Sequence, residues 1–259
     1  MRSLNQPILD WAEQRIWLIG ASSGIGAAFA TEALAAGARV ALSARRTEHL
    51  QAIAGSNQRA MIAPFDVLIQ HEWHSNYRQI CERFGGIDLI VFCAADYRPE
   101  RSWQVTPEGA AQTLAVNLGS VYTGLATVLP DMLTRGSGGI AIVASVAGYV
   151  GLPGASVYGP SKAALINLAE LLYCDLHPRG LSVYLINPGF VQTALTDKNN
   201  FTMPALQTPK AAASIIQRGI AAGRFEIDFP KRFTLLIKLL QWLPYRLRFA
   251  IIVRTVKPS

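Results

Sequence analysis

The stretch over residues 15–37, RIWLIGASSGIGAAFATEALAAG, decides the fold. Its apolar run, Ile16-Trp17-Leu18-Ile19, is too short to span a membrane and has the length of a buried strand. Gly20-Ala21-Ser22-Ser23-Gly24-Ile25-Gly26 then turns the chain, and Ile25, Phe29, Ala33 and Ala36 follow at helical spacing. Strand, glycine turn and helix thus succeed one another. Glycine admits positive φ and lets a ligand come close to the backbone. A helix start presents free N–H groups and the positive end of its dipole to an anion. The pyrophosphate of a dinucleotide is the natural occupant. The spacing here is G-x-x-x-G-x-G rather than the common G-x-G-x-x-G, and a glycine-rich turn without ligand is the plainer alternative.

Outward from this stretch the alternation continues. Arg39–Ser43 (RVALS) reads as a second strand, 60–67 (AMIAPFDV) as a third, and 71–84 as a helix stopped by Gly85-Gly86. The apolar run 87–95 (IDLIVFCAA) suits a central parallel strand covered on both faces. A loop over 99–107 leads into a long helix, 110–133, with Asn117 in its interior, where asparagine is a poor helix former. Gly138-Gly139 opens a fifth strand, 140–143, which ends at Ala144-Ser145. Tyr158 and Ser161-Lys162 precede an apolar helix, 163–176; a sixth strand, 182–186, runs into Asn187-Pro188-Gly189. Residues 191–206 have weak periodicity and the length of a loop that covers an active site. Thr208-Pro209 starts a helix reaching Ala222. The last strand is 225–229 (FEIDF).

Seven strands alternating with helices make an α/β fold with a doubly wound parallel sheet, helices on both faces. Its ligands sit beyond the C-terminal strand ends, where Gly20, Ser43, Asp66, Ala95, Ser145 and Pro188 all fall. The expected organisation is an N-terminal extension (1–14), a dinucleotide-binding catalytic domain (15–229) and a basic, apolar helical tail (230–259). Just past the second strand, an acidic residue would bind the 2′-hydroxyl of NAD, and an arginine the 2′-phosphate of NADP. No carboxylate occurs between Gly37 and Glu48, and Arg45 and Arg46 stand at this place. NADP(H) is expected in preference to NAD(H), with Arg45 the stronger candidate; a solvated basic pair is the bland reading. Asp66 can accept from the adenine amino group or cap a helix.

Of the 259 residues, 51% are hydrophobic and 16% charged, against roughly 25% charged in an average soluble chain. Such a chain has a deep core or a surface that meets something apolar. The net charge of +7 lies in the tail: Lys231, Arg232, Lys238, Arg246, Arg248, Arg254 and Lys257 follow Asp228 with no acidic residue among them. Without these seven, 17 basic residues balance 17 acidic ones, and a neutral body argues against a nucleic-acid partner. Cys81, Cys93, Cys174 and four scattered histidines have no metal-ligand spacing, so no metal is expected. A reduced compartment, the absence of a signal-peptide core near the N-terminus and the lack of any spanning apolar stretch point to the cytoplasm. In the tail, Phe233, Leu235, Leu236, Ile237, Leu239, Leu240, Trp242 and Leu243 are apolar nearly all round. A basic, apolar helix of this kind can lie in a membrane interface, or pack on the body or a partner subunit.

Tyr158 and Lys162, four residues apart, share a helix face. A phenol with its usual pKa of about 10 is a poor base at neutral pH, and a neighbouring ammonium favours the phenolate and should lower that value. A tuned phenol gives a proton to a carbonyl oxygen, or takes one from an alcohol, while hydride moves to or from nicotinamide. Ser145, at a strand end on the same side of the sheet, can hold the substrate oxygen.

Taken together, Gly20-Ala21-Ser22-Ser23-Gly24-Ile25-Gly26, Asp66-Val67, Asn117, Ser145, Tyr158-Gly159-Pro160-Ser161-Lys162 and Pro188-Gly189-Phe190-Val191-Gln192-Thr193 resemble the short-chain dehydrogenase/reductase family. The resemblance covers nearly all of residues 15–229 and implies a Rossmann-type domain. It implies that Tyr158 is the general acid/base, that Lys162 lowers its pKa and binds the nicotinamide ribose, and that Ser145 orients the carbonyl. Asn117 would hold a water that relays protons to Lys162. Gly20, Ser22, Ser23, Gly24, Ile25, Gly26, Arg45, Arg46, Asp66, Val67, Ala94 and Ala95 would meet the cofactor, with Pro188, Gly189, Val191 and Thr193 at its nicotinamide end. The family usually has Asn-Asn-Ala-Gly or Asn-Ala-Gly after the fourth strand; here Cys93-Ala94-Ala95-Asp96 stands instead. A side-chain hydrogen bond that usually ties neighbouring strands is lost, and Asp96 brings a negative charge to the cleft. The leading expectation is an NADP(H)-dependent carbonyl reductase, or the reverse alcohol dehydrogenase, on an apolar, lipid-like substrate. The support is the low charge, the tail, and a cover loop holding Phe190, Leu195, Phe201, Met203 and Leu206. A homodimer or homotetramer is expected from the resemblance. The alternative is an NADP(H)-binding sensor or scaffold of the same fold with little turnover.

Overall fold

Along β1 (Arg15–Ile19), Ile16 and Leu18 enter one apolar layer and Trp17 and Ile19 the other, all of them buried. A strand covered on both faces reads as an unbroken apolar run, which is how this one is written. The computed structural model describes residues 3–199 and 201–255. Its other strands are β2 (Arg39–Ser43), β3 (Ala60–Ile62), β4 (Leu89–Phe92), β5 (Gly138–Val143), β6 (Leu181–Pro188) and β7 (Glu226–Phe229). They form one sheet in the order β3-β2-β1-β4-β5-β6-β7, with every pairing parallel. The order reverses between β1 and β4, and a crevice opens there at the C-terminal strand ends.

Helices α1 (Gly24–Ala35), α2 (Thr47–Ala54) and α7 (Pro209–Ala221) cover one face through Phe29, Ala33, Leu50, Ala213 and Ile216. On the other face lie α3 (Gln70–Phe84), α5 (Ser120–Arg135) and α6 (Tyr158–Leu176), which bring Trp73, Ile80, Leu125, Val128, Leu165 and Leu172. The doubly wound, seven-stranded parallel sheet read from the sequence is therefore the observed one.

Several boundaries differ. The ladder of β3 stops at Ile62 rather than Val67. Pro64 has no N–H to give, and the chain beyond keeps only single bonds, from Ala63 N to Leu42 O and from Phe65 N to Ala44 O. The fourth strand pairs over Leu89–Phe92 rather than 87–95. The long helix expected over 110–133 is broken into α4 (Pro107–Leu114), a π-helical turn (Ala115–Gly119) and α5. Asn117 lies within that wide turn and is buried.

The first and last described segments are tied to this body. The Asn5 side chain donates to Val183 O at 2.8 Å and accepts from Val183 N at 3.0 Å, occupying the edge of β6 that β7 does not reach. After β7 come α8 (Lys231–Trp242) and α9 (Tyr245–Thr255). In α8 Thr234 and Ile237 are buried; Ile237 meets Val150 and Ile252 of α9. Glu226 and Asp228 of β7 anchor the tail. Lys238 Nζ lies 2.5 Å from Glu226 Oε2 and 3.6 Å from Asp228 Oδ2, and Lys231 and Thr234 both donate to the Asp228 carboxylate. Burial pushes the Asp228 carboxyl up, but the bonds from Lys231 and Thr234 outweigh it and hold the group below the usual carboxylate range. No helix among the described residues is long and apolar enough to cross a membrane.

Candidate active site

The turn after β1 is shaped by close backbone approaches. Gly20 has φ +91°, and a Cβ there would lie 2.5 Å from Ala94 N; at Gly26 a Cβ would lie 2.2 Å from Gly20 O. The turn closes on itself and on the strand beside it, which only glycine permits. Helix α1 then starts at Gly24 behind Ser23, whose side chain caps no N–H, and its first turn carries no acidic residue. Its leading N–H groups remain available to an anion.

These features open on a cleft of about 980 Å³ along the C-terminal strand ends. Of the residues expected at the site, Gly20, Ser22, Ser23, Gly24, Ile25, Arg45, Arg46, Asp66, Val67, Ala94, Ala95, Ser145, Tyr158, Lys162, Pro188, Gly189, Val191 and Thr193 line it. Gly26 and Asn117 stand behind its wall, both buried. Thr193 lies over the glycine turn, since its Cγ2 would be 2.8 Å from a Cβ at Gly24. Arg45 and Arg46 are exposed at the edge, and Arg46 Nη2 donates to Ser22 Oγ at 3.0 Å. Asp66 Oδ1 accepts from Leu68 N at 3.0 Å and so stiffens its own turn. A close-packed glycine cradle, an uncapped helix start and two guanidiniums fit a phosphate-bearing dinucleotide.

At the other end, β5 delivers Ser145, whose Oγ accepts from Ala147 N at 3.1 Å. Tyr158 opens α6, and Lys162 follows one turn later with 2% of its surface exposed. Lys162 Nζ donates to Val143 O at 2.8 Å and lies 5.5 Å from the centre of the Tyr158 ring. Burial, only partly countered by the Ser145 hydroxyl, pushes the Tyr158 phenol up to about 12. Burial likewise lowers the Lys162 ammonium to about 8. The sequence led us to expect Lys162 to lower the phenol. In the chain itself desolvation wins, and Tyr158 is a protonated donor at neutral pH beside an ammonium that still holds most of its charge.

The Asn117 side chain makes three hydrogen bonds. Its Nδ2 donates to Asp96 O (2.9 Å) and Ser161 Oγ (3.0 Å), and its Oδ1 accepts from Asp96 N (2.7 Å). Both amide hydrogens are spent in joining the loop after β4 to α6. The Asp96 carboxylate is turned toward Thr113 Oγ1 (2.7 Å) and Arg98 Nε (3.4 Å). Burial raises the Cys93 thiol to about 11, against the pull of Lys162, so it stays protonated.

Some neighbours were not legible. Tyr97 packs edge-on to Tyr158 at 4.9 Å; its hydroxyl donates to Asn199 Oδ1 (2.8 Å), and its carbonyl accepts from Lys198 Nζ (2.7 Å). The cover loop is thereby fastened across the cleft. Its apolar residues mostly form a rim. Of those expected, only Leu195 lines the cleft, while Phe190 packs between Phe201 (edge-on, 5.7 Å) and Phe233 of α8 (tilted, 5.8 Å). Arg98, Glu108, Gln112 and Lys198 supply polar lining instead. No sequence rule marks these residues, because their positions depend on loops meeting across the sheet. Among the described residues no group of three or more His, Cys, Asp or Glu could hold a metal ion.

Known proteins share this architecture. The short chain dehydrogenase family model matches residues 14–203. An uncharacterized oxidoreductase of Myxococcus xanthus is 33% identical over 229 residues, 87% of this chain and 90% of that protein. One of Mycobacterium tuberculosis is 30% identical over 249 residues, covering 92% and 97%. Among solved structures, a short-chain dehydrogenase from Streptomyces avermitilis superposes with a TM-score of 0.79 at 23% identity, covering 93% of this chain and 97% of that one. A short chain dehydrogenase/reductase from Burkholderia phymatum in complex with NAD gives 0.81 at 22% identity, covering 97% and 98%.

Proposed function

The chain belongs to the short-chain dehydrogenase family and is an NAD(P)-dependent oxidoreductase, and from that premise we propose that it interconverts a ketone or aldehyde and an alcohol with NADP(H). When bound, the nicotinamide supplies or takes up the hydride. The observation that carries the reading is one cleft holding the glycine turn with Arg45 and Arg46 at one end and Ser145, Tyr158 and Lys162 at the other. Tyr158 is the general acid in the reducing direction: a phenol with a pKa of about 12 is protonated and ready to give its proton to the carbonyl oxygen. Ser145 holds that oxygen through its hydroxyl. The Lys162 charge favours the phenolate left behind, which takes a proton back from water. Asn117 positions the loop after β4 against α6, so that Tyr97 stays edge-on to Tyr158.

NADP(H) is preferred because two arginines and no carboxylate follow β2. The substrate is apolar, supported by the Phe190, Phe201 and Phe233 rim. A substrate bearing a polar group is a second reading, favoured by Arg98, Gln112 and Lys198 in the lining. The active form is a homodimer or homotetramer, and the tail after β7 is the part offered to an apolar partner.

The test is oxidation of NADPH, followed by the absorbance of the reduced nicotinamide, against a panel of apolar and polar ketones and aldehydes. NADH and Tyr158→Phe run alongside. Turnover preferring NADPH and apolar carbonyls, lowered about 10²- to 10⁴-fold in Tyr158→Phe, is the expected result. Tight NADPH binding without turnover of any carbonyl refutes the reading.

A further inference from the structure

Helix α8 turns polar side chains toward the protein: Thr234 donates to Asp228, Lys238 lies 2.5 Å from Glu226, and Gln241 Nε2 donates to Tyr149 O at 2.6 Å. Ile237 is buried beside the partly buried Phe233 and Leu240, while four other apolar side chains face outward at helical spacing. Leu235 is 59% exposed, Leu236 57%, Leu239 55% and Trp242 87%. In helix α9, Tyr245, Phe249 and Val253 are exposed along one face and Leu247 and Ile251 along another, and Ile252 is buried. In a water-facing helix the polar stripe would point out. A contiguous apolar surface of this kind marks an interaction site.

Its charge selects the partner. Lys231 and Lys238 pair with β7 carboxylates, and Arg248 Nε donates to Leu240 O at 2.9 Å. Arg232, Arg246 and Arg254 are exposed beside the leucines, and no acidic residue follows Asp228. A second copy meeting this face by two-fold symmetry would set the same arginines against each other without a tail carboxylate to pair them. An anionic lipid surface supplies the missing charge and takes the apolar side chains, including a tryptophan suited to the headgroup boundary. The inner side of α8 also touches the cleft wall. Phe233, in the first turn of α8, packs on Phe190 and stands 3.1 Å from where a Cβ of Gly189 would lie, and Gly189 lines the cleft.

We propose that α8 and α9 lie in the interface of a membrane leaflet carrying anionic lipid. Leu235, Leu236, Leu239, Trp242 and Phe249 enter the acyl boundary, Arg232, Arg246 and Arg254 meet the headgroups, and the Phe190–Phe201 rim stands beside the bilayer. The docking does not rest on the proposed chemistry; supply of an apolar carbonyl from the bilayer does.

The experiment uses the full chain saturated with NADPH and sedimented with vesicles. The vesicles are phosphatidylcholine alone, or phosphatidylcholine mixed with phosphatidylglycerol. The chain should pellet with the mixed vesicles and be released by salt. Arg232→Gln, Arg246→Gln and Arg254→Gln together should weaken partition roughly a hundredfold, each arginine contributing about fivefold. Leu239→Ser with Trp242→Ser should abolish pelleting. NADPH binding, read by nicotinamide fluorescence, should stay unchanged in both variants, which shows that they fold. No pelleting with anionic vesicles, or equal salt-insensitive pelleting with both lipids, overturns the proposal. A dimer in solution that Trp242→Ser dissociates also overturns it and assigns the face to a second copy. Vesicle binding by a chain that reduces no carbonyl would leave the docking standing and refute the chemistry alone.

Discussion

Replacing Lys162 by methionine is expected to change the pH dependence of folding in a direction fixed by its burial. Lys162 is 2% exposed, and desolvation lowers its ammonium from 10.5 to about 8. The folded chain therefore holds this proton less tightly than the unfolded chain. Below pH 8 both states are protonated, and the native state carries the full cost of a buried charge. At about 1.36 kcal/mol per pH unit, that cost is about 3 kcal/mol. Above pH 8 only the unfolded state keeps the proton, so wild-type stability rises with pH relative to the variant until about 10.5. Methionine removes the charge but strands Val143 O, which accepts from Nζ at 2.8 Å; that loss costs about 1–3 kcal/mol and does not vary with pH. The size of the advantage at pH 7 thus depends on two opposed contributions, whereas its change with pH depends on one. Cys93 at about 11 and Tyr158 at about 12 stay protonated over the range in both proteins. Urea unfolding of the cofactor-free protein at pH 7 and pH 9.5 should show the methionine variant losing about 2 kcal/mol relative to wild type between them. A difference constant over that range would refute the reasoning. Carbonyl reduction should be lost in the variant at both pH values.

Three further outcomes follow from the geometry. Gly26→Ala places a Cβ 2.2 Å from Gly20 O and should cost about 1–3 kcal/mol in thermal unfolding while weakening NADPH binding, because the turn cannot close. Arg45→Ala with Arg46→Ala should weaken NADPH binding about 10- to 100-fold, the worth of a charge-assisted bond to phosphate, and leave NADH binding unchanged in fluorescence titration; an equal loss for both cofactors would contradict the assignment. Lys238→Met takes a partner from Glu226 and Asp228, and with both the lysine and Glu226 part-exposed the expected loss in urea unfolding is about 1–2 kcal/mol.

The parallel sheet, its glycine turn and the strand-end positions of the site residues were legible because each is a local pattern. An apolar run has strand length, a glycine sits where a Cβ would come within 2.5 Å of neighbouring backbone, and Tyr158 and Lys162 are one helical turn apart. Proline 64 shows the limit of such reading, since its missing donor ends the β3 ladder within a run that looks like one strand. Asn117 stood out as a poor helix former inside a helical run, but its burial and its partners Asp96 and Ser161 could not be read there, because they lie 21 and 44 residues away.

What the sequence by itself determined is the order of elements and the residues at the strand ends, which follow from periodicity and short-range stereochemistry, and the family, which rests on the resemblance of its motifs. Only the tertiary structure decided three things. It set the protonation balance of Tyr158 and Lys162, because desolvation depends on everything packed around a charge and here exceeds the effect of one neighbour. It fastened the cover loop to the loop after β4 through Tyr97 and Asn199, 102 residues apart. It turned the leucines of α8 outward, because Glu226 and Asp228, on a strand the periodicity could not orient, claim the lysines of the helix instead.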